Sequence, residues 1–251
     1  MNLDNRQKHL PAGGKLFSLA ALLLLIGLAV GAVAASAPRD SSANAAKSAR
    51  VVAVGDVHGD YDALVAILQR AALIDAKLNW IGDGATLVQT GDFLDRGEKC
   101  LQVMDLLMSL EKQAARKKGR VIVILGNHEA MNLYGDLRYA KNMFASFADK
   151  NSEQRRTDAW RDYVKWQKAR AKELGKPEPV LSDTPDDEWL KAHPLGFFEQ
   201  REAFAPTGKY GRWLREHSAL AVVDGTLFVH GGISPELASW KIEAISKRVA
   251  D

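Results

Sequence analysis

Three observations predict an α/β fold. Apolar runs of strand length alternate with stretches of helical spacing between residues 50 and 125. One run, 120–125, is apolar at almost every position, as in a strand buried on both faces of a parallel sheet. Four Gly-containing polar motifs each follow a predicted strand, where α/β folds gather their ligands.

The elements follow in order. Residues 50–54 form a short apolar run closed by Gly55, a buried strand. From 60 to about 73, Leu64, Ile67, Leu68 and Ala71 recur at helical spacing. The segment 79–84 holds Gly82-Asp83-Gly84 and is expected to form a hairpin. A second strand spans 85–90. A helix from 98 to about 118 carries Leu101, Met104, Leu107 and Met108 on its apolar side. Its basic end (Arg116, Lys117, Lys118) suits the helix dipole, and Gly119 is expected to stop it. The strand at 120–125 completes β–α–β–α–β. From about 143 to 210 the chain is charged and mostly helical, with a break at Pro177-Glu178-Pro179. Its stripe of Trp160, Tyr163, Val164, Trp166 and Gln167 is expected to pack against the core. Strands return at 219–223 and 226–229, joined by Asp224-Gly225 in a type I′ turn. Ser234 and Pro235 fit N-cap and first position of a further helix. There are no internal repeats.

At 251 residues the chain is long enough for one sizeable core. A formal charge of +3 is too small to argue for nucleic acid and is compatible with an anionic substrate. A single cysteine, Cys100, excludes an intrachain disulfide and fits a small buried helix residue. At the N-terminus, Arg6, Lys8 and Lys15 precede an uncharged Leu/Ala-rich run from 16 to about 35. Ala32-Val33-Ala34 and Ala43-Asn44-Ala45 each fit a signal-peptidase site, with mature chains starting at Ala35 or Ala46. A run of roughly 20 residues also suffices to span a bilayer as an uncleaved anchor. Either reading of 1–35 exports the rest, to the periplasm or tethered to the inner membrane. Residues 36–49 read as a linker and 50–251 as one domain.

The motifs carry the chemistry. In Gly55-Asp56-Val57-His58-Gly59, Asp56 and His58 lie two apart after a strand and can point at one metal. In Gly91-Asp92-Phe93-Leu94-Asp95-Arg96-Gly97, Asp92 is placed to bridge two cations through its two oxygens. In Gly126-Asn127-His128-Glu129, Asn127 offers a neutral oxygen ligand. His128 beside a metal pair can act as a general acid, held protonated by a carboxylate, for which Asp95 is the candidate. In His230-Gly231-Gly232, His230 follows a strand and the glycines leave room for metal and substrate. Each motif alone has a bland account as a capped turn. Four in order, all at strand ends, favour two adjacent divalent metals. Such ions, roughly 3.5–4 Å apart, are a recurring device for phosphate ester hydrolysis.

The four motifs resemble the phosphoprotein phosphatase family of calcineurin-like metallophosphatases, over residues 50 to about 240. The stretch from Gly126 through Asn132-Leu133-Tyr134-Gly135-Asp136-Leu137-Arg138-Tyr139 narrows the likeness. So does Tyr210-Gly211-Arg212-Trp213-Leu214-Arg215 ahead of His230-Gly231-Gly232-Ile233-Ser234-Pro235. Both are similar to the bacterial Shewanella-like branch, whose members are typically exported. The resemblance implies a four-layer αββα β-sandwich flanked by helices, with the helical insertion between the third and fourth motifs. It implies that Asp56, His58 and Asp92 hold one metal and Asp92, Asn127 and His230 the other. It makes His128 the acid with Asp95 as partner, and Arg96 and Asn127 the phosphate contacts. A hydroxide bridging the two metals would attack the phosphorus of a phosphoprotein or phosphopeptide. Arg138 is a further phosphate contact or, more simply, a surface salt bridge. Donors without thiolate suit manganese, iron or zinc.

The sequence departs from the family in one respect. The family carries another His ligand, and usually another phosphate-binding Arg, downstream of the last motif. After Gly232 this sequence has no His. His193 and His217 precede His230 without its strand-end context. The expectation is a chain shortened at its C-terminus, with a weakened second metal. Two alternatives accompany the phosphatase reading: a dinucleoside polyphosphate hydrolase, and an inactive membrane-tethered binding module or non-functional fragment. The motifs carry no signal for oligomeric state.

Overall fold

The computed structural model describes residues 50–250. The expected signal or anchor at 1–35 and the linker at 36–49 lie outside the described residues. Strands β1 (Val51–Val54), β2 (Thr86–Gln89) and β3 (Arg120–Val123) form a parallel sheet in the order β1-β2-β3. The register aligns Val54, Gln89 and Val123, so all three strands end together. The loops carrying the first three motifs therefore leave one edge of the sheet side by side.

The period-2 alternation of strand side chains sorts the sheet into two faces. On one face Val54, Leu87 and Val123 pack with α1 (Tyr61–Arg70) and α2 (Cys100–Arg116). Leu64 and Leu68 of α1, and Val103, Leu107 and Leu110 of α2, are fully buried there. Burying each such side chain contributes about 1.5–3 kcal/mol, which outweighs the weak intrinsic preferences of four-residue strands. On the other face Val88 and Ile124 meet Val223 of a β-hairpin, β4 (Leu220–Val223) and β5 (Thr226–Val229). Helices, sheet and hairpin thus stack as three of the four layers of the expected αββα sandwich.

Local chemistry explains most boundaries. Asp60 caps α1 by accepting from the Ala63 amide at 3.0 Å. Asp224 and Gly225 both take positive φ (49° and 78°), as a type I′ turn requires. Cys100 is buried in the first turn of α2, and burial pushes its thiol up to about 12, leaving it unreactive.

Four details differ from expectation. Lys118, at φ 61°, takes the left-handed position after α2, and Gly119 instead serves a close approach. A Cβ on Gly119 would lie 2.4 Å from the Asp83 carbonyl oxygen. The 79–84 segment forms a turn with a single bridge, Ile74 to Trp80, because the Trp80 indole donates to the Asp83 carbonyl and curls the chain. Ser234 opens only a turn, its carbonyl accepting from the Leu237 and Ala238 amides, and helix α8 (Ile242–Ala250) starts later.

The fourth concerns the insertion. It is helical as expected: α4 (Ser152–Glu173), α5 (Asp187–Ala192), α6 (Phe197–Phe204) and α7 (Lys209–Arg215) follow α3 (Asn127–Tyr134). Trp160 is buried, but against Trp189 of α5 and Tyr163, and its indole donates to the Ser182 carbonyl. The aromatic stripe of α4 therefore closes a cluster inside the insertion. Met143 and Phe144 ahead of α4, and Phe204, Tyr210, Trp213 and Leu214 of α6 and α7, are what join the main core.

Candidate metal centre

The first two motif loops are tied by their backbones. The Val57 and His58 amides both donate to the Asp92 carbonyl at 3.0 Å, and the Gly97 amide donates to the His58 carbonyl at 2.9 Å. Four non-glycine residues here have positive φ: His58 (47°), Asp92 (54°), Asp95 (67°) and Arg96 (62°). Each such backbone costs about 1 kcal/mol or more, and persists only where the surroundings over-determine it.

Two buried side chains provide that constraint: Gln89, which lies in no motif, and Glu129, which closes the third motif but has no role in the motif reading. Gln89, at the end of β2, donates to the Gly55 and Gly91 carbonyls and accepts from the Gly91 amide. Glu129 is fully buried and accepts four amides: Asp92 and Gly126 at 2.8 Å, Phe93 and Leu94 at 3.0 Å. Burial pushes its carboxyl up to about 7, against the pull of those amides. The Gly126 bond is a helix N3 side chain reaching back to the N-cap amide, the one part of this role that spacing could have flagged.

Asp92 lies at the middle of the site and is buried. Its Oδ1 accepts from the His128 amide at 3.1 Å. Its Oδ2 faces three imidazoles: His58 Nε2 at 3.8 Å, His128 Nε2 at 3.8 Å and His230 Nε2 at 3.3 Å. Two sets of potential ligands converge on it: His58, Asp92 and His128, and Asp56, Asp92 and His230. Asp56 reaches toward both sides, 3.7 Å from His58 Nε2 and 3.8 Å from His230 Nδ1. Asn127 Oδ1 sits 3.2 Å from His230 Nε2.

The donor set fits divalent cations. His58 Nδ1 bonds to the Leu94 carbonyl at 2.9 Å, while its buried Nε2 has no hydrogen-bond partner. His230 repeats the pattern, Nδ1 on the Thr90 carbonyl at 3.0 Å and Nε2 turned toward Asp92 and Asn127. An imidazole held through one nitrogen, with the other left facing carboxylates, is oriented as a metal ligand. Space is reserved as well: a Cβ on Gly126 would lie 2.2 Å from Asp92 Oδ1, and one on Gly91 3.0 Å from His230 Nδ1.

His128 is bound differently. Its Nδ1 bonds to Asp95 Oδ2 at 2.7 Å, and both side chains are buried. Tyr139 covers the imidazole with ring centres 5.1 Å apart. Arg96 is exposed, but its backbone is clamped: its amide donates to the Tyr139 carbonyl and its carbonyl accepts from Asn142. Arg138 makes a two-pronged ion pair with Asp136, the surface salt bridge of the simpler reading. His193 stacks among Trp189 and Phe198, and His217 lies 3.3 Å from Glu111; both are outside the two ligand sets.

Comparisons with known proteins agree with this geometry. Residues 49–249 match the family described as calcineurin-like phosphoesterase. The chain is 32% identical over 210 residues to Shewanella-like protein phosphatase 2 of Arabidopsis thaliana, covering 81% of this chain and 51% of the relative. It is 46% identical over 90 residues to Shewanella-like protein phosphatase 1 of Plasmodium berghei, covering 36% of this chain and 25% of that protein. Among solved structures it resembles the cold-active protein-tyrosine phosphatase of a psychrophilic Shewanella species, with a TM-score of 0.54 and 26% identity. That likeness covers 80% of this chain and 47% of the other. The chain spans about half the length of the first of these relatives and of the solved structure.

Proposed function

Because this chain belongs to the calcineurin-like phosphoesterase family, we propose that it hydrolyses phosphomonoesters of phosphoproteins with the help of divalent metal ions. One observation carries the reading: a single buried carboxylate oxygen, Asp92 Oδ2, faces three imidazoles, one of which, His58, leaves its buried Nε2 without a hydrogen-bond partner.

Asp56, His58 and Asp92 would hold one ion, and Asp92, Asn127 and His230 the other. Manganese, iron and zinc all suit these donors. Bound there, the ions supply Lewis-acid activation of water and neutralise charge on the phosphoryl oxygens. The chain's own groups do the rest. Arg96, exposed and held by its backbone, binds phosphate oxygens. Asp95 engages His128 at Nδ1, so Nε2 is the atom that delivers a proton to the departing oxygen. The fit of a phosphomonoester is supported by the exposure of both Asn127 and Arg96 to solvent.

His128 also stands in one of the two ligand sets, so its role is put to the test directly. In His128→Asn the acid reading expects turnover to fall by about 10²–10⁴-fold with both ions retained. Joint loss of both ions makes His128 a ligand instead. A panel of phosphopeptides against a dinucleoside tetraphosphate, with manganese added, tests the substrate class. Strong preference for the tetraphosphate overturns the phosphoprotein reading. The basic and then apolar segment at 6–35 supports export of the domain; recovery of the chain only from the cytoplasm after fractionation counts against it.

A further inference from the structure

The carboxylate of the acid pair is only the second member of a longer buried chain. Asp95 Oδ2 bonds to His128, and Asp95 Oδ1 accepts from Asn132 Nδ2 at 2.9 Å. Asn132 lies four residues after His128 on α3, on the same face, and its Nδ2 also donates to the His128 carbonyl at 2.9 Å. With two acceptors around the nitrogen, the amide can point only one way. Its Oδ1 therefore needs a donor, and Gln200 of α6 supplies it through Nε2 at 2.9 Å. The adjacent Arg201 donates to the Asn132 carbonyl at 2.8 Å.

His128, Asp95, Asn132 and Gln200 are all essentially inaccessible to solvent. Gln200 Oε1 is buried with no partner. Its amide is thus not placed where its own hydrogen bonding would be best satisfied. It is turned to aim a donor along the chain, and the side-chain donors of Gln200 and Asn132 run in sequence to Asp95 Oδ1. Buried polar networks of this kind fix one geometry because any other leaves several groups unmatched.

We propose that Asn132 and Gln200 are positioning residues for the Asp95–His128 pair, and that the helical insertion takes part in catalysis through them. The proposal rests on the reading of His128 as the general acid. Asn132 locks the Asp95 carboxylate in the plane that meets His128 Nδ1, and Gln200 locks Asn132. Neither hydrogen-bonds to Asp56, His58, Asp92, Asn127 or His230, the residues that would hold the ions, so both ions are expected to stay bound without them.

The test uses the metal-loaded full chain and two substrates. A phosphoserine peptide has a poor leaving group and needs the proton; p-nitrophenyl phosphate has a good one and needs it little. Gln200→Met keeps the volume and removes the donor, and Asn132→Ser is the milder change at the second position. Each is expected to lower kcat on the phosphoserine peptide by about tenfold and on the aryl ester by at most about twofold, with KM and bound metal unchanged. In the metal-free chain the His128 Nδ1 proton resonance should shift or broaden in both variants. Equal losses on the two esters, no loss on either, or an unmoved resonance overturns the proposal. His128→Asn is run beside them. If it too shows no leaving-group dependence, the acid reading fails, whereas dependence in His128→Asn alone removes only the positioning role.

Discussion

The two halves of the candidate metal centre hold similar donor groups by unequal means. Asp56, His58 and Asp92 come from the loops that follow β1 and β2, and Asn127 and His128 from the first turn of α3, which follows β3. Those loops share backbone hydrogen bonds, and Glu129 and Gln89 join them from inside. His230 comes from the hairpin. Its ring is held by the Thr90 carbonyl and, at 3.2 Å, by Asn127 Oδ1, and the following Gly231 and Gly232 are exposed. The hairpin's buried contact with the sheet is small, centred on Val223 against Val88 and Ile124. On its other face Val222 and Leu227 stay 48% and 39% exposed. The difference teaches that ligand identity and ligand preorganisation are separate properties. One half is rigid through its own hydrogen bonds; the other is held by little besides the ligand itself.

Ligand substitutions should break the symmetry most. Asp92→Asn removes the oxygen that both sides share, and should lower kcat/KM at least about a thousandfold and release both ions. His230→Ala should release one ion and leave the folding transition in place. Metal analysis with calorimetry checks the pair, and release of both ions by His230→Ala would mean that the halves are not separable. Glycine substitutions come next. Gly126→Ala sets a Cβ 2.5 Å from the Asp92 nitrogen and should cost about 3 kcal/mol or more. Gly231→Ala meets nothing within 4 Å and should change stability by less than about 0.5 kcal/mol. Urea titration of the two variants measures the contrast directly.

Glu129→Gln is a finer probe of the rigid half. One carboxylate oxygen becomes an NH2 group facing two amides, and leaving such donors unmatched should cost about 2 kcal/mol or more. Equal midpoints in denaturant for Glu129→Gln and the parent chain would show that the four amide bonds do not hold the loops.

How much of this was legible in the sequence follows the same division between local and non-local causes. The motif residues were, because each motif packs its ligands into one short loop after a strand. The three parallel strands, the two helices between them and the type I′ hairpin were legible from periodicity and turn residues. The roles of Glu129 and Gln89 and the Asn132–Gln200 link were not, since their partners are set by how separate loops approach. Gln200 bonds to a residue 68 positions away, and no periodicity records that. Lys118 and Gly119 show the same limit at small scale. A glycine after a helix suggested a left-handed cap, but the approach of Asp83 was the constraint it served. The turn at Ser234 had the right cap residues, yet the chain bends after Trp240 and the helix begins at Ile242.

The smallest expected effect needs no substitution. Ile124 and Leu125 are neighbours in the chain, but their amides report on different halves. The Ile124 amide donates to Gln89 of β2 at 2.8 Å, inside the sheet. The Leu125 amide donates to the carbonyl of Ser218, just before the hairpin, at 3.0 Å. If the hairpin side opens without the sheet, Leu125 should exchange its proton faster than Ile124 by on the order of tenfold or more. A difference of that size would locate the weaker boundary of the metal centre between these two residues. Equal protection at both would mean that sheet and hairpin open together, and that the scarcity of contacts around His230 does not make it an independent unit. Added divalent metal sharpens the comparison: if Asp92 and His230 hold one ion, as proposed, the metal should slow Leu125 more than Ile124.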